Sequence, residues 1–132
     1  TVVTFSRKLS NQNNGRIVTA YQNNWLLGHH DTTYGDYYAQ GWVQSGIAQS
    51  DTTWRMFTGT GNISTDVWEL YINDALRTSS SGGSQGPAGF NINAQYSQFS
   101  SSQVGMIACW DRVLTATEVS RVFECYRRRF GI

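Results

Sequence analysis

The chain has 132 residues, of which 39% are hydrophobic, 14% aromatic and 14% charged, with a formal net charge of +1. That is the length of one domain, 1–132, with a core of its own. The aromatic content excludes a disordered chain, and the low charge with 45 Ser, Thr, Asn and Gln residues excludes a helical bundle or coiled coil. The near-neutral balance lacks the excess positive charge that marks a nucleic-acid binder, so nucleic acid is not an expected partner.

Residues 1–9 (TVVTFSRKL) predict a first strand, and 10–15 (SNQNNG) a turn. Residues 16–21 (RIVTAY) and 25–28 (WLLG) predict the next two strands, and 29–35 (HHDTTYG) a polar loop. Residues 36–43 (DYYAQGWV) read as one strand, with Tyr38, Gln40 and Trp42 on one face and Tyr37, Ala39, Gly41 and Val43 on the other. Residues 53–58 (TWRMFT) alternate Trp54, Met56 and Thr58 against Arg55 and Phe57. Further strands are predicted at 67–72, 75–78, 90–94 and 104–111, with Asn73-Asp74 as a tight turn and 79–89 as a loop holding Pro87.

Only the end reads as a helix. Thr115 followed by Glu118 is a capping-box pattern. Val119, Val122, Phe123 and Tyr126 then mark one apolar face, and Arg127, Arg128, Arg129 and Gly131 mark the stop. The arginine run is explained by the helix macrodipole, with a polyanion patch as the alternative.

Cys109 and Cys125 lack a CxxC spacing. They either pair as a disulfide, which would suit an oxidising compartment, or serve as two small buried hydrophobes. No apolar run reaches the roughly 18 residues of a membrane helix, so no membrane span is expected. A first residue Thr1 rather than Met suggests a processed or excised piece of a longer chain. One sequon is present, Asn62-Ile63-Ser64, in a chain where Asn and Ser are common enough for chance to produce it.

The tail GMIACWDRVLTATEVSRVFECYRRRFGI resembles the C-terminal signature of concanavalin A-like lectin/glucanase domains of the laminin G-like type. Its matching positions are Trp110, Asp111, Arg112, Leu114, Thr115, Phe130, Gly131 and Ile132. WELYIND resembles the same family's LYVNG hairpin, with Asp74 where Gly is usual, and the strands between follow in order. The resemblance implies an all-β jelly-roll sandwich with one short C-terminal helix. It also implies that one or two strands normally precede residues 1–9. Their absence would leave an open sheet edge, and the strand at residues 1–9 or its neighbour would be a template for pairing with another chain.

Glucanases of this fold carry a Glu-x-Asp-x-x-Glu strand. Retaining glycosidases need two carboxyl groups about 5 Å apart. Here the glutamates are Glu69, Glu118 and Glu124, and positions 71 and 73 beside Glu69 are Tyr71 and Asn73. No enzyme is therefore expected, and a glycoside hydrolase is the disfavoured alternative. No GxSxG elbow or P-loop is present.

No cofactor is expected apart from calcium. Calcium needs six to eight oxygens. Many laminin G-like domains hold it at a rim, and the resemblance offers Asp31, Asp36, Asp51 and Asp66. A transition-metal site at His29, His30, Asp31 and Asp36 is disfavoured, because adjacent strand residues point to opposite faces.

The strongest binding signal is aromatic. Tyr34, Tyr37, Tyr38 and Trp42 lie close to His29 and His30 in the sequence. Aromatic faces stack on sugar C–H faces, while polar side chains orient hydroxyls. The candidate ligand-binding residues are His29, His30, Asp31, Tyr34, Asp36 and Tyr38. Trp25, Trp54 and Trp68 are expected in the core. The expectation is a non-catalytic module that binds glycan or a protein partner in an extracellular or virion-surface assembly. The alternative is a purely structural, capsid- or fibre-associated jelly roll.

Overall fold

The computed structural model describes residues 1–10 and 15–132. The expected turn at 10–15 falls largely outside the described residues. The elements in chain order are β1 (Val2–Lys8), β2 (Val18–Ala20), β3 (Trp25–His30), β4 (Thr33–Ala39), β5 (Trp42–Gln44), β6 (Ala48–Gln49), β7 (Arg55–Asn62), β8 (Val67–Ile72), β9 (Ala75–Ser80), β10 (Phe90–Ile92), β11 (Ser102–Cys109) and α1 (Ala116–Phe130).

The strands form two antiparallel sheets. The first runs β11-β1-β7-β8-β9; the second runs β10-β2-β3-β4-β5, with β6 beside β4. This is an all-β sandwich with one C-terminal helix. Among the described residues no helix is long and apolar enough to cross a membrane.

Two apolar layers hold it together. Between the sheets lie Val2, Val18, Trp25, Leu27, Tyr37, Phe57, Trp68, Leu70 and their neighbours. On the far side of the first sheet, Val3, Phe5, Met56 and Tyr71 meet Leu114, Val119 and Tyr126 from the helix segment. Period-two alternation accounts for this division: Val3 and Phe5 face the helix while Val2, on the same strand, faces the other sheet. Met56 and Phe57 divide in the same way, and Trp54 packs on the helix side with Met56, as alternation predicts. The Phe5 ring lies between Trp54 at 4.8 Å and Phe130 at 4.9 Å. Each pair is an offset stack of the kind aromatic quadrupoles favour.

The helix begins as the sequence predicts. Thr115 is its N-cap: its hydroxyl accepts from the Glu118 backbone N–H at 3.3 Å, and Glu118 Oε2 accepts from the Thr115 N–H at 2.8 Å. Arg112 adds a bidentate pair to the same carboxylate, at 2.7 and 2.9 Å. This hydrogen bonding holds the Glu118 carboxyl down at about 2. Gly131, at φ 68°, closes the helix with its N–H on the Arg127 carbonyl. Of the arginine run, Arg127 pairs with Glu124 at 3.2 Å.

Three expectations need correction. Of the two strands expected at an open edge, the first is internal, since β1 pairs with β11 on one side and β7 on the other, and its neighbour β11 is the edge. The first sheet's edges are β11 and β9. The strand expected at 36–43 is broken by a turn at Gln40 (φ 55°) and Gly41, so Trp42 begins a new strand antiparallel to β4. Cys109 and Cys125 are neither bonded nor buried; both are free and exposed. The helix places Cys125 on its outward side, which spacing alone does not reveal.

Candidate functional site

Residues 29–35 are not a loop. They form a hairpin in which β3 turns into β4 through Asp31 and Thr32, with Asp31 at φ 51°. The pairing sets Leu27 opposite Tyr37 and Gly28 opposite Asp36, and then slips so that His29 faces Tyr34. Gly35, at φ 79°, is the extra residue of this bulge. The slip turns Tyr34 to the side where His29 lies, toward the inter-sheet core.

His29 is fully buried. Its ring stands edge-on to Phe57 at 5.0 Å, and Nδ1 lies 3.4 Å from Ser50 Oγ. Nε2 has no hydrogen-bond partner. Burial, reinforced by the charges of Lys8 and Arg55, lowers its pKa to about 3, so it is neutral at pH 7. Tyr34 packs against the inter-sheet core and takes the Arg55 guanidinium over its ring at 4.0 Å. His29 thus has no surface to present to a ligand, while Tyr34 is half-buried.

Asp36 is 1% exposed. Its carboxylate accepts from the Thr33 hydroxyl at 2.9 Å, and the backbone N–H groups of Gly46 and His30 nearby favour its charged form. Desolvation outweighs these bonds and raises its pKa to about 6. Residues 45–50 run over this region: the Ile47 N–H reaches the Tyr34 carbonyl at 2.9 Å and the Ser50 N–H the Thr32 carbonyl at 2.7 Å. These backbone bonds hold the crossing segment against β4. Asp31 receives the buried Lys8 ammonium on its backbone carbonyl.

The four aspartates proposed for calcium are not gathered. Asp31 sits at the hairpin turn and Asp36 is enclosed. Asp51 is paired with Arg55 at 2.5 Å, which holds its carboxyl well below the usual range, and Asp66 (φ 52°) lies in the β7–β8 turn. Among the described residues no three His, Cys, Asp or Glu side chains converge on a common point. The glutamates are also dispersed: Glu69 accepts from the Tyr71 hydroxyl at 3.0 Å, Glu118 caps the helix, and Glu124 holds Arg127.

Asp31 at the turn is open to solvent, and so in part is an aromatic group. Tyr38 and Trp42 are cross-strand partners, their rings edge to face at 5.1 Å. His30 stands 5.8 Å from the Trp42 ring, and Trp42 is 45% exposed. Burial and the Arg16 charge both lower the His30 pKa.

Arg16 was not among the expected site residues. Its Nε donates to Gln98 Oε1 at 2.7 Å and its Nη1 to Asn24 Oδ1 at 2.6 Å, and its guanidinium lies 4.9 Å over the Tyr96 ring. Gln98 is 82 positions away in sequence, so no local pattern could have announced this group. The structure thus leaves His30, Tyr34 and Tyr38 half-buried and Asp31 exposed, buries His29 and Asp36, and adds the exposed Trp42, with Arg16 near His30 and Tyr38.

No protein-family model matches the chain, and no curated protein matches it in sequence.

Proposed function

We propose that this chain is a non-catalytic glycan-recognition module of the concanavalin A-like, laminin G-like class, built on a jelly-roll sandwich. The observation that supports it is the exposed Trp42 ring, braced by Tyr38 and His30 on the second sheet. A side chain held at right angles to a neighbouring ring loses little further freedom on binding, so its face is available for stacking at low entropic cost. Sugar C–H faces are the complementary surface. Dispersed, individually paired carboxylates favour binding over glycoside hydrolysis. A module of this kind suits an extracellular or virion-surface assembly.

The test is a glycan array probed with the folded protein and with Trp42→Ala. Signal on at least one sugar class that falls with the variant supports the reading. A blank array from a well-folded sample rejects it.

A second reading rests on β11. It is eight residues long, and among the described residues β1 is its one neighbour in the sheet. An edge of that length is a template for strand addition. On this reading the chain is a structural jelly roll that pairs through β11, and β1 stays internal. Amide exchange on β11 that slows with rising protein concentration supports it; concentration-independent exchange rejects it.

A further inference from the structure

We propose that the side of the sandwich between β10 and β11 is a docking cleft for one extended segment of another protein, uncharged and with aliphatic side chains at alternate positions. This rests on the β11 edge of the second reading above and names what adds to it.

β5, at one end of the second sheet, lies against β8 and β9 at one end of the first. The other two ends, β10 and β11, therefore share the opposite side. Residues 93–101 join them there: the Asn93 side chain donates to the Ser100 carbonyl at 2.8 Å and accepts from the Ser100 N–H at 2.5 Å.

The strand register fixes which side chains look into the gap. Phe90 stands opposite Ala20 and Ile92 opposite Val18, and Ala20 and Val18 belong to the inter-sheet core. Directly paired residues share a face, so Phe90 and Ile92 point inward too. From the other lip, Val104 and Ile107 of β11 pack on the same core. Yet Phe90 is 37% and Ile92 53% exposed, and Val104 and Ile107 are only half-buried. Apolar side chains that face inward and still meet solvent from two lips of one gap mark an interaction site.

The opposite side is finished differently. There Thr78 of β9 donates to the Gln44 side chain, Ser80 donates to the Val43 carbonyl at 3.3 Å, and β9 carries Arg77. Charged side chains are a usual means of keeping an edge strand from pairing. β11 reads SQVGMIAC, with no charge and no proline in eight residues, and a bulge at Gly105.

These features define the occupant. Alternate residues of an edge strand turn their N–H and C=O groups outward, and an extended backbone answers them together. Its inward side chains then fall between Val104 and Ile107 on one lip and Phe90 and Ile92 on the other, which calls for aliphatic groups. The charges at the two ends of the row are already engaged. Lys8, opposite Ser102, is buried with its ammonium on the Asp31 carbonyl. Beyond Cys109, the Thr1 ammonium donates to the Trp110 and Arg112 carbonyls. A second copy's β11 would bring a second bulge to the ladder, so a regular segment is the better match.

The experiment reads amide exchange along β11 by NMR at one low protein concentration. The probes are two acetylated, amidated peptides: four Val-Thr repeats closed by two lysines, and four Lys-Thr repeats. Both are titrated into the wild-type chain and into Ile92→Lys, whose site is exposed enough to accept the change without loss of the fold. The expected result is slower exchange on β11, and not on β9, with the Val-Thr peptide alone. Its affinity should fall by about tenfold in Ile92→Lys, the scale of one aliphatic side chain no longer buried.

Unchanged β11 exchange at saturating peptide overturns the proposal. So does equal protection by the Lys-Thr peptide, or by the Val-Thr peptide in Ile92→Lys, since the cleft would then play no part. Protection that grows with protein concentration and ignores both peptides makes a second copy the occupant; it overturns the proposal and leaves the second reading standing. Protection by the Val-Thr peptide in a protein whose β11 exchange is independent of its own concentration upholds the cleft and removes self-pairing.

Discussion

His29 lies opposite Tyr34, not Gly35, across the β3–β4 ladder. This one-residue slip decides which side chains of the hairpin meet solvent. It requires Gly35 at φ 79°, where an added Cβ would also press on the Ile47 side chain. Gly35→Ala should therefore destabilise the domain by about 1–2 kcal/mol, the cost of a left-handed non-glycine residue. Urea unfolding measures it; an unchanged midpoint would mean the bulge is not set by Gly35.

Two buried groups of opposite tendency shape the pH profile. The Asp36 pKa, raised to about 6 from 3.8, means that the folded state binds this proton more tightly than the unfolded chain. Its stabilisation is complete below pH 3.8 and is lost as pH rises through 6. The His29 pKa, lowered to about 3 from 6.5, works the other way. Its stabilisation is present above pH 6.5 and is lost as pH falls through 3.

Between about pH 4 and 6 the two slopes oppose, each approaching about 1.4 kcal/mol per pH unit. Below that window His29 and the paired carboxyls Glu118 and Asp51, all held below their ordinary values, lose stabilisation together as pH falls, so acid should unfold the protein. Asp36→Asn should leave stability rising steadily from pH 3 to 6.5, while His29→Gln should leave it falling from 4 to 6. Denaturant titrations at stepped pH check this, and three parallel profiles would contradict it.

Thr115→Ala removes the hydroxyl that accepts from the Glu118 N–H. The expected loss is about 1 kcal/mol, read as a lower unfolding midpoint. Thr115→Ser should recover most of it, which separates a capping role from a packing one.

Phe5 is fully buried, with the Trp54 and Phe130 rings stacked on it. It joins the first sheet to the helix, so Phe5→Ala should cost about 3–5 kcal/mol. Near-ultraviolet circular dichroism should lose aromatic signal at the same time. A loss of less than about 1 kcal/mol would mean that the helix layer collapses to fill the space.

The sequence was informative where one period governed the residues. Alternation separated Met56 from Phe57, and the Thr115–Glu118 spacing located the helix start. It failed where a single residue changes the count. Nothing in HHDTTYGDYY distinguishes a loop from a hairpin with a bulge at Gly35, so the polar loop expected at 29–35 is a β-hairpin. Gln40 and Gly41 break a run that alternates smoothly on paper, yet Tyr38 and Trp42 still meet, now as partners on neighbouring strands. The interior role of β1 depends on pairing with β11, a contact spanning most of the chain. Arg16 and Gln98 meet by the same kind of long-range closure.

Whether the exposed Trp42 face binds sugar is decided by a calorimetric titration of the strongest array ligand. The expected result is saturable binding to the wild-type chain and an affinity at least about tenfold weaker, about 1.4 kcal/mol, in folded Trp42→Ala. An unchanged Kd in that variant would contradict it.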